Sequence, residues 1–462
     1  MPSPADRASD SPASSARARV VITGLGSVSG LGLGAAALWD GLCAGRTAIG
    51  PITALDASGF RSQLAAQVPE LAVKDFVPKH YRKATKVMAR DIELAVVAAK
   101  LAVDDAGLVT RGSDLSASEE SAGASMTYRP SRMGCNIGAG LIAADSQEMA
   151  TAMATSTEGD AGEKFSLSRW GEVGMDNLTP LWLLKYLPNM LACHVTIIHG
   201  AEGPSNTITC SEASGLLTVG ESMRIIERGA ADLCFAGSAE SKLNPMGMLR
   251  LDLVGRLAHV GPEADPAGVV RPFDPDSPGG ILGEGGGIVV LENAETARAR
   301  GAKVYAEVVG FGGGQSDAFY RLQPGEDFDE GFAAAIENAL NDAGIGPEQV
   351  SVIVPQGSGV PGMDRAELGA LRAVFGERLE SVPMLTIQPS VGNCVAGAGG
   401  LQVVAAALAI KHQRLPARIH AGKPAAGVQA GASCARDARV EYALLTSGSL
   451  GGQNAAVVLK SC

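Results

Sequence analysis

Residues 203–229 read GPSNTITCSEASGLLTVGESMRIIERG, and the pattern in this stretch is the main indication of the fold. An extended run is followed by a turn at residues 211–213 and then by an amphipathic helix that Gly229 closes. A residue at such a strand-to-helix turn lies at a helix N-terminus, where partial positive charge stabilises anions and lowers the pKa of a thiol. The pattern therefore predicts a turn that could seat a nucleophile.

Three more stretches accompany this one: VVITGLGSVS at residues 20–29, RPFDPDSPGGILGEGGGIVVLE at 271–292 and GAKVYAEVVGFGGGQSDA at 301–318. In order and spacing, the chain from residue 19 onward resembles the β-ketoacyl synthase (condensing enzyme) family. The resemblance implies an α/β, thiolase-like fold in which two similar βαβαβαββ halves form a five-layer α-β-α-β-α sandwich. We place the N-terminal half at residues 19–260 and the C-terminal half at residues 261–462.

The catalytic positions that the resemblance implies are all substituted. The family segment GPxxxxxTACxSGxxxIGxAxRxI, aligned without a gap, places the nucleophilic Cys on Glu212. The family's HGTSTxxxDxxE aligns on QGSGVPGMDRAE and places Gln356 at the first His. Its KSxxGHxxGAAG aligns on QPSVGNCVAGAG and places Gln388 at the Lys and Asn393 at the second His.

The positions that serve the substrate arm also depart from the family pattern. The family's GFGGTN, whose Phe gates the nucleophile, aligns on SLGGQN and places Leu450 at the gate. The Thr pair that touches the pantetheine arm falls on Ser358 and Val360, whereas Asp364 and Glu367 keep the family residues. We expect this site no longer to serve a carrier-bound substrate.

These substitutions remove the chemistry that the resemblance implies. The family's Cys takes an acyl group as a labile thioester, and a carboxylate at Glu212 is a poor substitute for it. Gln356 and Asn393 can still hydrogen-bond an oxyanion, but neither can titrate as His does. Covalent loading should fail, and decarboxylation is weakened without being excluded.

Glu212 has two interpretations. It is either an exposed residue that interacts with the helix dipole, or a buried plug that pairs with Gln356, Asn393 or Gln388. We favour the plug. Cys210 is not favoured as a relocated nucleophile, because two residues of strand shift a side chain by ~6–7 Å; a buried small apolar residue is the expected role.

Composition sets the broad class. The chain has 462 residues, 46% of them apolar, and a formal net charge of −11, which gives no electrostatic footprint for nucleic acid. The eight cysteines follow no metal-like spacing and are expected to be reduced thiols in a cytoplasm. Residues 1–18 are expected to be a disordered tail, and no apolar run is long enough for a membrane span.

Strand-like and helix-like runs alternate along the chain, which favours sheets covered by helices. The predicted strands include residues 19–23, 233–236, 287–291, 350–355 and 384–387, and the predicted helices include 35–42, 91–106, 329–342, 364–375 and 401–412. The Gly-rich residues 283–287 lack GxGxxG spacing and are interpreted as a tight turn before a strand. The six histidines show no metal-like pairing, so neither a cofactor nor a metal is expected.

The leading hypothesis is a non-catalytic ketosynthase homologue of the chain-length-factor type, which forms a heterodimer with an active β-ketoacyl-ACP synthase and shapes the cavity for the growing chain. The family dimerises through an apolar surface near the nucleophile strand. Because carrier proteins are generally acidic, we expect the acyl carrier protein to dock on the partner. The alternatives are a homodimeric scaffold that binds acyl groups or carrier protein, and an enzyme that uses Glu212 as a base on carrier-bound acyl chains.

Overall fold

The computed structural model describes residues 17–113, 125–158, 164–317, 328–419, 424–425, 427–429 and 434–462. The predicted tail, apart from its last two residues, lies outside this part of the chain. None of the described helices has the length and apolar character that a membrane crossing requires.

Most strands join one sheet of twelve strands. Its main path runs β12-β15-β16-β11-β1-β10-β9-β5-β8; in addition, β2 pairs with β1, β4 pairs with β10, and β3 pairs with β4. The strands are β1 Val20–Ser29, β2 Gly32–Leu33, β3 Ile49–Pro51, β4 Leu64–Ala66, β5 Met133–Gly138, β6 Thr157–Glu158, β7 Lys164–Phe165, β8 Ser205–Ile208, β9 Leu233–Ser241, β10 Leu282–Asn293, β11 Ala306–Gln315, β12 Val352–Val354, β13 Arg414–Leu415, β14 Arg436–Asp437, β15 Tyr442–Gly448 and β16 Gln453–Lys460.

The helices lie between and outside these strands. They are α1 Ala35–Cys43, α2 Arg90–Asp105, α3 Ser146–Thr155, α4 Met190–His199, α5 Ser214–Glu227, α6 Pro245–Leu253, α7 Ala294–Ala299, α8 Glu330–Ala343, α9 Pro361–Phe375, α10 Gln388–Val391 and α11 Ala396–His412. Short helical turns connect several of them, including Lys79–Val87 and Ser211–Ala213.

The helices α5 and α11 form the middle layer. Both contact strands of the β9 side and of the β15–β16 side of the sheet. Every residue of α11 from Ala396 to Ile410 is buried, as expected for a helix that is apolar on all sides. With α2 outside β1, β10 and β9, and α8 outside β11 and β16, the chain forms the predicted five-layer α/β arrangement.

The prediction of a tight turn at residues 283–287 is wrong. These residues lie inside β10, which pairs with β1 and β9. A Cβ on Gly287 would come within 2.4 Å of the carbonyl oxygen of Gly400 on α11. The glycines are therefore needed for close helix-to-sheet packing.

Most predicted elements are present, usually longer than the sequence pattern indicated. The predicted strand at residues 384–387 is wrong: Met384 makes only an isolated bridge to Ile353, and α10 begins four residues later. Leu385 donates to Ile353, but Ile387 already has a helical backbone conformation before α10, so the pairing does not extend. The division into halves at residues 260 and 261 stays a prediction.

Candidate functional site

The turn between β8 and α5 carries Glu212. Its first residue, Ser211, has a φ of 50°, an uncommon backbone conformation for a residue with a side chain. Glu212 follows in the short helical turn Ser211–Ala213 and is fully buried, directly before the N-terminus of α5. The predicted strand-turn-helix geometry is present, and the exposed interpretation of Glu212 is wrong.

The partner of Glu212 is an arginine that the sequence did not reveal. A terminal guanidinium nitrogen of Arg256 forms an ion pair with Oε1 of Glu212, and the two side chains are 3% and 0% exposed. The Ser211 hydroxyl donates to Oε2 of Glu212 at 2.7 Å. Nδ2 of Asn393 donates to Oε1 at a longer 3.4 Å. The plug interpretation is thus supported, with Arg256 as the main partner.

Arg256 lies just beyond α6. Its backbone N–H donates to the carbonyl of Leu251 at 3.0 Å, which closes the end of that helix. Burial lowers the pKa of Arg256 to about 10, so the guanidinium still carries its charge at neutral pH. Its Nε has no hydrogen-bond partner among the described residues. Glu212 is therefore the group that compensates this buried charge.

Gln356 is held by other groups. Its backbone N–H donates to Glu367 at 2.9 Å, and its side-chain oxygen accepts from the backbone N–H of Gly448 at 2.8 Å. Its Nε2 has no partner within the described chain. The structure therefore does not bring Gln356 into hydrogen-bond contact with Glu212.

Asn393 and Gln388 differ in their relation to the plug. The Oδ1 of Asn393 accepts from the backbone N–H of Val395 at 2.8 Å, so its amide bridges that strained residue, with a φ of 49°, to Glu212. Gln388 begins α10 and is buried, and its Oε1 is unpartnered among the residues described. Only Asn393 of the three predicted partners bonds to Glu212.

The two retained carboxylates hold the loop before α9. Asp364 accepts from the backbone and the hydroxyl of Ser358 at 2.8 and 2.7 Å. Glu367 accepts from Gly357 and from Thr446, and burial raises its pKa to about 7. Both side chains are buried, and their hydrogen bonds fix the loop conformation.

The residues at the predicted gate and pantetheine-arm positions are half-buried or buried. Ser358 and Val360 are 1% and 4% exposed, and the Val360 N–H donates to the Ser358 hydroxyl at 3.0 Å. Leu450 lies half-buried in the turn between β15 and β16. At the arm positions the polar contacts are therefore internal to the protein.

Cys210 and the two histidines of α4 have structural environments. Cys210 is half-buried, so the expectation of a buried residue is wrong. Its partial burial still raises its pKa, which disfavours a thiolate. His194 bonds to the Tyr81 hydroxyl at 2.8 Å, and burial lowers its pKa to about 4. His199 bonds to the Thr110 hydroxyl at 2.9 Å, with a pKa of about 3 from burial. No metal-binding cluster occurs within the described residues.

A cavity of about 400 Å³ lies beside the plug. It opens next to the exposed Leu141, and its inner wall includes the ion pair of Lys242 with the fully buried Glu240. The residues around it are Gly140, Leu141, Pro188, Thr209, Ser211, Glu240, Lys242, Arg250, Leu251 and Val395.

Comparisons with known proteins match the chain to two family models. The model for the β-ketoacyl synthase N-terminal domain matches residues 17–297, and the model for the C-terminal domain matches residues 305–422. The chain is 32% identical to the granaticin polyketide putative β-ketoacyl synthase 1 of Streptomyces violaceoruber, over 96% of this chain and 98% of that protein. It is 29% identical to 3-oxoacyl-[acyl-carrier-protein] synthase 2 of Staphylococcus aureus strain COL, with the same coverage.

A solved structure shows the same architecture. The ishigamide ketosynthase/chain length factor superimposes with a TM-score of 0.78 at 27% identity, over 97% of this chain and 100% of that chain. The predicted thiolase-like fold is therefore confirmed.

Proposed function

The chain belongs to the β-ketoacyl synthase family, and from this premise we propose that it is a non-catalytic subunit of the chain-length-factor type. It would form a cytoplasmic heterodimer with an active ketosynthase and shape the cavity in which the acyl or polyketide chain grows. The observation that carries the proposal is the buried ion pair of Glu212, the residue that the motif alignment places at the nucleophile position.

The ion pair disfavours the alternative function, an enzyme that uses Glu212 as a general base. A general base needs a carboxylate that can accept a proton from the substrate, at a pKa near the working pH. Arg256 already occupies one oxygen of Glu212 in an ion pair. The second oxygen accepts from Ser211, so Glu212 is closed to a substrate.

The other substituted positions supply no replacement chemistry. Gln356 uses its side-chain oxygen on the backbone of Gly448, and Asn393 uses Oδ1 on Val395. Neither amide can exchange a proton as an imidazole does. A condensation reaction would therefore depend on a second chain that retains Cys, two His and Lys.

The exposed edge of the sheet supports a partner subunit. Strand β8 ends the main path of the sheet, and its residues Ser205 and Asn206 are exposed. Large apolar side chains are also exposed before and beside this edge, among them Leu181, Leu183 and Ile197. Exposed edges and apolar patches of this kind are usually covered by another element or chain.

The acidic character of the chain bears on the acyl carrier protein. With a net charge of −11, this subunit is a poor sole docking platform for an acidic carrier. We therefore place the principal carrier contact on the partner ketosynthase.

The test is the native mass and subunit composition of the tagged protein, purified gently from its own host. A one-to-one complex with a ketosynthase homologue that retains the catalytic residues, and condensation only when both chains are present, is the expected result. A stable homodimer without such a partner would contradict the proposal and would favour the scaffold function.

A further inference from the structure

The wall of the 400 Å³ cavity and the Glu212 plug are joined by hydrogen bonds at three points. Ser211 lines the cavity and donates to Glu212 at 2.7 Å. Leu251 lines it and accepts from the backbone of Arg256 at 3.0 Å. Val395 lines it and donates to Asn393, which donates to Glu212.

The plug therefore lies directly behind one wall of the cavity. If the side chains of Glu212 and Arg256 were absent, an empty space would lie behind this wall. Because Glu212 and Arg256 are almost completely buried, they fill that space now. Ser211 and Val395 are lining residues with positive φ. Ser211 bonds directly to Glu212, and Val395 is linked to it through Asn393.

The wall formed by Ser211, Leu251 and Val395 is here called the floor of the cavity. We propose that Glu212 and Arg256 support this floor from behind, and that Arg256 determines the depth of the cavity by holding Glu212 in place. This inference rests on the proposed function for its biological meaning, since a floor limits how far a growing chain can extend. The role is one of positioning and specificity, because neither residue needs to touch a reacting atom.

The ion pair suits this role better than two separate polar residues would. A lone buried charge admits water or shifts its pKa, whereas a paired one is compensated within the protein. Two of the charged residues that line the cavity, Glu240 and Lys242, are paired with each other. Arg256 and Glu212 therefore remain paired with each other and do not pair with these charged residues of the cavity.

The first test uses a thiol as a reporter of closure in the full-length protein. Glu212→Cys is treated with iodoacetamide, and labelling at position 212 is followed by peptide mass spectrometry. Two native cysteines act as internal standards: Cys135 is buried and Cys434 is exposed. We expect the thiol at position 212 to label much more slowly than Cys434 while Arg256 is present, because its thiolate can replace the carboxylate as the partner of the guanidinium and keep the floor closed.

Removal of the arginine should open the floor. In Glu212→Cys/Arg256→Ala we expect the thiol at position 212 to label faster, by roughly tenfold or more, as a locally opened site does. An unpaired arginine would itself activate a nearby thiol, so protection in the single variant cannot come from low reactivity. Labelling of Cys135 reports whether the double variant has unfolded; in that case Arg256→Met replaces Arg256→Ala.

The matched control removes an arginine from another buried ion pair. Arg300 pairs with the fully buried Glu292 at 2.5 Å and does not line the cavity. Glu212→Cys/Arg300→Ala should leave the thiol at position 212 protected. Labelling like Cys434 in the single variant, or continued protection after removal of Arg256, would overturn the proposal without any reference to a partner subunit.

The second test asks whether the depth of the cavity limits the length of the product when the protein is in complex with its partner ketosynthase. The double variant Glu212→Ala/Arg256→Ala should shift the product mass distribution to longer chains, whereas Glu292→Ala/Arg300→Ala should not. An unchanged distribution would refute the role of the floor in chain length. Product formation that is independent of this subunit would instead refute the proposed function.

Discussion

At the scale of the residue, the carboxylate of Glu212 and the guanidinium of Arg256 occupy a buried site beside the N-terminus of α5, where a thiol would be activated as a nucleophile. Removal of two charges from water costs several kcal/mol each, and their attraction offsets this only with good geometry and further hydrogen bonds. Ser211 and Asn393 provide such bonds, and the N-terminus of α5 adds a favourable dipole. The pair is therefore tolerated because its surroundings complete it.

A double-mutant cycle should detect this dependence. Glu212→Gln and Arg256→Met should each lower the free energy of unfolding by about 3–5 kcal/mol, because each leaves the other charge uncompensated. The double variant should lose less than the sum of the two. Urea unfolding measures all four proteins.

The matched control for this cycle is the exposed pair of Arg111 and Glu202, at 3.1 Å with side chains 50% and 59% exposed. Its removal should cost less than about 1 kcal/mol. Additive effects at Glu212 and Arg256 would show that the two residues do not act as a pair.

Restoration of the thiol should not restore the reaction. Glu212→Cys supplies the nucleophile, but Gln356 and Asn393 still cannot transfer protons. We expect no condensation above background from the variant alone, measured as product formed from acyl- and malonyl-carrier protein. Turnover comparable to an active ketosynthase would mean that the two amides suffice.

Asp91 gives a prediction about pH. It is fully buried at the start of α2, and burial together with the nearby charge of Glu240 raises its pKa to about 7. Because the folded-state pKa lies above the unfolded one, Asp91 contributes stability below about pH 4, and this contribution is lost as the pH rises toward 7. Asp91→Asn should therefore raise the melting temperature at pH 8 relative to wild type.

The comparison at low pH is the control for this prediction. At pH 4 both proteins carry a neutral side chain at position 91, so their melting temperatures should differ little. Equal melting temperatures at pH 8 would show that Asp91 does not titrate in this range.

At the scale of the element, the contact between β10 and α11 depends on missing side chains. A Cβ on Gly400 would lie 2.2 Å from the carbonyl oxygen of Gly287. Gly400→Ala should lower the free energy of unfolding by about 1–3 kcal/mol, as overpacking does, although alanine favours helices. Thermal and urea unfolding would measure the loss.

Gly50 in β3 is the matched control, since a Cβ there would meet nothing within 4 Å. Gly50→Ala should therefore be close to neutral. A neutral Gly400→Ala would show that helix and strand can separate without cost.

The same contact shows what a sequence can and cannot predict. The helix at residues 401–412 was predicted from its apolar residues, but its true start at Ala396 was not, because glycines 397, 399 and 400 read as loop. Glu212 could be placed at the turn from its position in the motif. Arg256 could not, since its distance from Glu212 in the chain carries no signal and only the tertiary packing after α6 brings them together.

At the scale of the whole molecule, the sheet is open at one end. Strand β8 pairs only with β5 among the described strands, and α4 packs beside β8 with Ile197 52% exposed. An exposed edge beside exposed apolar residues matches an interface better than it matches a free surface. The proposed heterodimer would cover it.

Ile197→Glu tests that interface. Because Ile197 is already exposed, the variant should change the stability of the isolated subunit by no more than about 0.5 kcal/mol. A buried, unpaired carboxylate at an interface is strongly unfavourable, so the partner ketosynthase should no longer co-purify in equal amount. Phe328→Glu is the control: Phe328 is 56% exposed and precedes α8, which covers β11 and β16 in the other part of the sheet. If Ile197→Glu kept its partner while Phe328→Glu lost it, the interface would have to lie on the α8 side, and β8 would be an edge that the protein leaves uncovered.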